Sequence, residues 1–481
     1  MACLILLPGC EKHLSLTPVS YITTASFWSS EDDVEGSLNG MYYKMRGLAP
    51  LNLFIWGEAR SEMMERSHAG SLGYEYYYDN NLSSEHPGPT WDTFYTLINQ
   101  CNLLIKYVPT IDFSSEEKMN NALAQAYTMR AFAYYTMVRI WGGVPLRDEP
   151  LEAYDPMTIQ KPRTPKEEIF KLIKEDLDKA LSLYSDMAFE SGRNKWSKAS
   201  ACALKGDVYL WTGKVENGGN SDIQTALEAL EEVKKADVQL LGNFGDIFKY
   251  TNKGNKEILM SIRFYKNESG EMTLAHNMYM SSTGDVPSYV PADLVAKVSP
   301  PKAGNGNVWR ITELVRNQFT DDDSRKAATY IDLEGDGQYY TNYGMKFNGM
   351  VENGVRYFLD DWIIYRYADV LLMIAEAKNA LGQDPTEEIN QVRERAYGSN
   401  FERHVFVNGT KEANDELILK ERLFELALEG HRWWDLVRFN EEFNLVPSLQ
   451  GREEEKHLVL WPLSKTTLSK ETLVDQTPGY E

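Results

Sequence analysis

Three kinds of residue in this chain could do chemistry. The first is aromatic. Tyr74, Tyr76, Tyr77 and Tyr78 crowd a segment flanked by Gly and Asn, next to Asp79, Asn80 and Asn81. Sugar rings pack axial C–H faces on aromatic planes while Asn, Asp and Arg bond pairs of hydroxyls, so the segment reads as a carbohydrate platform. The competing reading is a strand with Tyr74, Tyr76 and Tyr78 facing a core at period two. A second group holds Tyr279, Tyr289, Trp309 and Arg310 with Asn305 and Asn307. Trp309 follows Gly304-Asn-Gly-Asn307, which predicts an indole projecting from a loop. Its truncation should then weaken sugar binding about tenfold with little loss of stability. Overall usage agrees: 28 Tyr and 11 Trp against 18 Phe favours aromatics with a polar handle, which tolerate half-wet surfaces.

The second kind is carboxylate. Glu421, Glu425 and Glu429 repeat at i, i+4 and i+8, with Arg422, Arg432 and Arg438 close by. Such a stripe could be catalytic or hold a metal. The favoured reading is a structural ion-pair network around Trp433 and Trp434, both expected to be buried. Asp321-Asp-Asp323 and the acids from Asp332 to Asp336 offer oxygen ligands to a structural calcium, but not at EF-hand spacing, so solvated turns are favoured. No other cofactor is indicated. The chain has no CxxC or HExxH, and its 7 His are scattered, so zinc has no support. A glycoside hydrolase would need two carboxylates about 5–10 Å apart, and no spacing singles out such a pair.

The third kind is a thiol. The chain opens MACLILLPGC, where a short apolar run and small residues precede Cys10 in the manner of a bacterial lipoprotein signal. Cys10 is expected to carry the lipid, with residues 1–9 removed. The brevity of the apolar run and the lack of a preceding Lys or Arg are expected to reflect a start upstream of Met1 or a clipped signal peptide. Cys101 and Cys202 lie in apolar helical settings and are expected to be buried thiols. A net charge of −21 over 481 residues disfavours nucleic acid as a partner.

Helices must position these groups. Trp91 to Val108 shows apolar residues at 3–4 spacing, stopped by Pro109. Ser114-x-x-Glu117 predicts a capping box opening a long helix to Trp141, closed by Gly142-Gly143. Thr164-Pro165-Lys-Glu167 predicts another, followed by shorter helices over Ala199–Thr212 and Asp222–Ala236. A second block covers Trp362–Leu381, Pro385–Ala396 and Glu416–Phe439. Ala-rich facing positions suggest helical hairpins stacked as a degenerate tetratricopeptide-like solenoid. The fold class is mainly α. Between the blocks, residues 240–361 lose helical period and gain Gly, Asn, Tyr and Pro, so a loop-rich, ligand-binding insert is expected there. Residues 57–89 share that texture inside the N-terminal region 10–239, and residues 362–481 close the scaffold.

Several stretches together resemble the SusD/RagB family of Bacteroidetes surface lipoproteins. They are AQAYTMRAFAYYTMVRIWGGVPL from Ala124 to Leu146, YRYADVLLMIAEA from Tyr365 with INQVR from Ile389, and ERLFELALEGHRWWDLVRF from Glu421 to Phe439. Leu460-Trp-Pro-Leu463 and Thr477-Pro-Gly-Tyr480 follow, with Thr477 where the family usually has Asn. The opening Leu16-Thr17-Pro18 and Phe27-Trp28 fit as well. The resemblance implies a lipid-anchored, surface-exposed outer-membrane protein that is not an enzyme. It would bind an oligosaccharide or polysaccharide and lid a SusC-like TonB-dependent transporter for uptake. Arg60 and Glu62, after Trp56, lie where family members place polar ligand contacts. Peptide or glycopeptide capture, as in RagB-like members, is the nearest alternative, and a glycoside hydrolase the next.

Overall fold

The computed structural model describes residues 27–481 except 71, 154, 156–158 and 305. Cys10, Asn305 and the segment around Leu16-Thr17-Pro18 therefore lie outside the described residues.

The N-terminal block is built from α1 (Glu31–Arg46), α2 (Asn52–Gly57), the single turn α3 (Glu75–Tyr78), α4 (Asp92–Tyr107), α5 (Glu116–Trp141), α6 (Lys166–Leu183), α7 (Lys198–Lys214) and α8 (Gly219–Val233). Consecutive long helices pack on one another: α4 on α5, α5 on α6, and α7 on α8. The central helix α5 is buried over almost all of its length from Ala122 onward, which is why its sequence is apolar and small nearly all round. Its cap is Ser115, whose hydroxyl accepts from the Lys118 amide, one residue later than the Ser114–Glu117 box the sequence suggests. It stops at Gly142, whose φ of 71° is accessible to glycine at little cost. Thr164 makes no cap on α6; Pro165 occupies the cap position and offers no side-chain bond. A true capping box instead joins Ser197 and Ser200 at the start of α7. Cys101 and Cys202 are buried free thiols.

The C-terminal block holds α9 (Tyr367–Ala380), α10 (Thr386–Tyr397), α11 (Lys411–Leu426) and α12 (Arg432–Phe439), with α9 packed against α8, α10 and α11. Two expectations need correction here. Residues 362–366 are not helical but form a buried strand, because Trp362-Ile-Ile-Tyr is a run of β-formers that pairs antiparallel with Ile258–Ile262. The predicted single helix over Glu416–Phe439 is also broken. Leu428 and Gly430 take φ values of 70° and 79°, and the Glu58 carboxylate accepts the amides of Leu428, Gly430, His431 and Arg432 at 2.8–3.3 Å. A Cβ on Gly57 would sit 1.9 Å from the Gly430 carbonyl oxygen, so the two segments touch backbone to backbone.

Between the blocks the chain makes short two-stranded ladders. With β1 (Met64–Arg66) counted first, the strands are β2 (Ile258–Ile262), β3 (Trp309–Ile311), β4 (Tyr330–Gly335), β5 (Gln338–Gly344), β6 (Met350–Glu352), β7 (Val355–Tyr357) and β8 (Trp362–Arg366). They pair as β1–β3, β2–β8, β4–β5 and β6–β7. One large apolar cluster runs from Val34 through Val308, Trp309, Ile311 and Leu333 to Trp461, so the insert shares its core with both helical blocks.

The carboxylate stripe is a buried ion network. Arg325 binds Glu421 at 2.6 Å, and Arg366 reaches Glu257, Glu425 and Glu429 at 2.9, 2.5 and 2.8 Å. Lys346 binds Glu429 at 2.7 Å, and Arg395 binds Glu425. Trp433 and Trp434 are both buried, as the helix pattern predicts. The Asp321–Asp323 acids point to different partners: Lys326, His404 and Arg325 respectively, while Asp332 pairs with Arg316. Among the described residues no three metal-ligating side chains converge on one point, and no helix is long and apolar enough to cross a membrane.

Candidate functional site

The antiparallel β1–β3 ladder brings the 57–89 segment onto the insert. Its register opposes Met64 to Ile311, Glu65 to Arg310 and Arg66 to Trp309. Beyond its end, the Thr312 hydroxyl donates to the Glu62 carbonyl at 2.8 Å. The C-terminal tail completes the arrangement: the Ser448 hydroxyl donates to the Tyr78 carbonyl, and the Asn80 amide donates to both Ser448 and the Arg60 carbonyl, all at 2.9–3.0 Å. These three segments enclose an open cleft of about 640 Å³ between Glu62–Arg66, α3, Thr312–Leu314 and Val446–Ser448. Small-molecule and sugar sites fall in this range of size. A second cleft of about 790 Å³ lies between α1 and residues 264–270; of its charged wall residues, Arg46 and Glu268 bind each other at 2.7 Å, and Lys44 and Asp92 also line it.

Several residues expected to touch ligand are part of the protein interior. Trp309 does not project from a loop. It lies on β3 with no exposed surface, because pairing with β1 turns its side chain under the ladder. Its ring stacks on Tyr74 at 4.3 Å and 17° and meets the Phe54 edge at 5.2 Å. Tyr279 is 1% exposed, stacks on Tyr343 and donates its hydroxyl to Asn348 Oδ1 at 2.9 Å. Arg60 is wholly buried between Trp433 and Trp461, with its guanidinium carbon 4.3 and 5.1 Å from the ring centres. It donates to Asn80 Oδ1 at 2.7 Å and to the Leu460 carbonyl at 3.1 Å. Arg60 is therefore a clamp behind the cleft and not a ligand contact.

The remaining candidates are more accessible. Tyr76 is half-buried and stacks on His86 at 3.6 Å; Asn81 is exposed, and Tyr289 is half-buried. Tyr74 to Tyr78 form neither a strand nor a flat platform, since residues 75–78 make one helical turn. Arg310 is half-buried and holds Glu65 at 2.8 Å across the ladder. Of the expected residues that are described, only Glu62 and Tyr78 line the cleft itself. Glu65, Glu75, Glu313 and Pro447 were missed, and their signal is weak: Glu62-Met-Met-Glu65-Arg66 is a charged stretch beside Arg60 that ends in β1, while Glu313 and Pro447 carry no local mark.

The cleft is polar and acidic. Glu62 uses Oε1 to bind Arg432 at 2.8 Å, and its Oε2 has no hydrogen-bond partner. The Tyr78 hydroxyl is likewise buried and unpartnered. Burial pushes that hydroxyl up to about 12, reinforced by the charges of Asp79 and Glu75, so it stays protonated and can both donate and accept. Burial and Glu75 also raise the Asp79 carboxyl.

With this geometry in view, the comparisons are specific. A family profile described as the SusD family matches residues 303–480, and one described as starch-binding associating with outer membrane matches residues 20–210. SusD-like protein P38 of Formosa agariphila is 30% identical over 98% of this chain and 96% of its own length. The chain belongs to the SusD family. The solved structure of B. fragilis NanU superposes with a TM-score of 0.85 at 32% identity, covering 96% of this chain and 99% of that one. A laminarin-binding SusD-like protein shares the fold at 22% identity and a TM-score of 0.76, covering 94% and 100%. The second profile's family is described as associating with the outer membrane, and this SusD-family chain shares its residues 20–210 with that profile.

Proposed function

We propose that this SusD-family protein is a cell-surface lipoprotein that captures glycans in the β1–β3 cleft and passes them to a TonB-dependent outer-membrane transporter. It carries out no bond chemistry on them. The observation that carries the reading is the cleft itself: three chain segments, locked by Arg60, Asn80 and Ser448, surround a polar opening lined by Glu62 and Tyr78, whose Oε2 and hydroxyl have no hydrogen-bond partner. Such a site suits hydroxyl-rich ligands, whose donors satisfy buried acceptors that otherwise carry a desolvation cost. A rigid scaffold presenting binding residues on loops is the usual division of labour.

Calorimetry on an oligosaccharide panel tests the reading. A bound glycan should lose about three- to tenfold affinity in Tyr78→Phe, which removes one hydroxyl worth roughly 0.5–1.5 kcal/mol. No carbohydrate binding across the panel, or release of shortened products from a bound glycan, would refute it. The anchor is tested separately. Cys10→Ala should move the protein from washed membranes to the soluble fraction, because stable anchoring takes more than one acyl chain.

A further inference from the structure

A small cavity of about 50 Å³ lies between the two helical blocks and shares no lining residue with the β1–β3 cleft. Trp56 of α2, Arg139 of α5, Asp207 of α7, Tyr365 of β8 and Glu429 at the α11–α12 break all line it. Arg139 is only 8% exposed, yet its guanidinium is poorly matched. Nη1 stops 3.9 Å from Asp207 Oδ2, beyond hydrogen-bond reach, and Nε has no partner among the described residues. Asp207 is committed elsewhere: Oδ2 accepts the Tyr365 hydroxyl at 2.9 Å, and Oδ1 accepts from Arg438 at 3.3 Å. Glu429 is held by Arg366 and Lys346 at 2.8 and 2.7 Å. The Arg139 guanidinium carbon lies over the Tyr135 and Trp434 rings, 3.9 and 4.6 Å from their centres, which leaves the N–H edge as its free donor surface. Trp56, 1% exposed, brings a second buried donor without a partner, its indole N–H.

From this geometry we propose that the cavity binds one small inorganic anion of chloride's size, held by the Arg139 guanidinium and the Trp56 indole N–H. Both orphaned groups are donors. An anion accepts from both and needs no acceptor in return, whereas water must also donate. The bonds to Arg139 are charge-assisted, and the ion completes the pairing of a buried cation that Asp207 leaves at a distance. The volume admits an ion with a water or two and excludes a sugar. Segments of both helical blocks and of β8 meet at this cavity, so the ion ties them together and its binding reads out as stability. The site is independent of the glycan-binding reading, and no outcome below bears on that reading.

The test joins diffraction to thermal unfolding. Crystals grown without chloride and soaked in sodium bromide should show an anomalous peak within hydrogen-bond reach of Arg139 and Trp56 Nε1. In solution, sodium chloride is exchanged for sodium gluconate at constant ionic strength. Chloride should raise the melting temperature saturably, by on the order of 1–2 °C at about ten times its Kd, and gluconate should not. Arg139→Met should abolish the chloride effect. Should that variant fail to fold, Trp56→Phe keeps the ring and removes only the N–H, and should lose at least half of the effect. No bromide peak in the cavity, which would mean that ordered water fills it, overturns the proposal. So does an equal melting temperature in the two salts, or a chloride effect undiminished in Trp56→Phe, which would place the anion elsewhere.

Discussion

Replacing Trp309 by Ala separates two accounts of this residue. From the loop sequence before it, Trp309 would be a ligand platform whose removal spares the fold. The structure reverses that. The indole is fully buried, so truncation falls in the range of about 3–5 kcal/mol for Trp to Ala in a core. Two ring contacts, with Tyr74 and Phe54, account for roughly 0.5–1.5 kcal/mol each beyond the buried area. The indole N–H has no hydrogen-bond partner, so no lost bond adds to the figure. Tyr74 immediately precedes the turn that carries Tyr78, and the Tyr74 hydroxyl accepts from Asn277 at 3.1 Å. Losing the stack should therefore loosen the cleft wall, and affinity should fall together with stability. Urea unfolding followed by far-ultraviolet circular dichroism reads the first effect and calorimetry the second. Trp309→Phe keeps a ring against Tyr74 and should recover at least half of the lost stability. An Ala variant that unfolds with the parent, within about 0.5 kcal/mol, yet binds glycan weakly would refute the reasoning.

Arg366→Met should cost about 3–5 kcal/mol, since it removes the one cation shared by three buried carboxylates and leaves Glu257 with Arg395, Glu425 with Arg325 and Arg395, and Glu429 with Lys346 alone. Adding Glu425→Gln should return part of that, and a single variant within 1 kcal/mol of the parent in urea would contradict the network's role. Trp434→Ala should cost a similar 3–5 kcal/mol, read in the same unfolding assay. Acid sensitivity should trace in part to Glu376: burial alone would raise its carboxyl, but Arg438 and Lys214 outweigh burial and hold it at about 2 against an ordinary 4.5. The stabilisation is therefore complete above about pH 4.5 and drains as pH falls toward 2, amounting to at most about 3 kcal/mol. Glu376→Gln should flatten that limb of the stability–pH curve, and an unchanged limb would assign acid unfolding to other groups.

What the sequence reveals here is what neighbouring residues decide. The long helices α4 to α7 follow from apolar spacing within one or two residues, and α8 begins and ends three residues before the expected Asp222–Ala236. The Glu421–Glu425–Glu429 stripe reads as structural from its spacing, but its partners Arg325, Arg366, Arg393, Arg395 and Lys346 come from other segments, while the nearby Arg422, Arg432 and Arg438 bind Asp369, Glu62 and Glu376. The misses have distant causes. Glu416–Phe439 keeps helical period straight through Leu428, and only the Glu58 carboxylate, some 370 residues upstream, takes the amides that break it. Gly304-Asn-Gly-Asn307 correctly marks an irregular backbone but says nothing of Trp309, whose burial depends on pairing with Arg66 across 243 positions. The cleft's Glu313 and Pro447 come from segments with no shared local signature.

One consequence concerns the short stretch after Trp56. Its polar residues resemble family ligand contacts, yet Glu58, Arg60 and the Oε1 of Glu62 are all consumed by the C-terminal block. Glu58 binds the α11–α12 break, Arg60 the Leu460 carbonyl, and Glu62 the Arg432 guanidinium. Each is a tie between chain ends that would otherwise be free to separate. Because these ties are buried and charged, they hold the stretch in one position, and the next residues, Glu65 and Arg66, are delivered to the cleft with little freedom left to lose on binding. The polar cluster thus works through placement: interior charges fix the strand, and the strand sets Glu65 and Arg66 in the cleft wall.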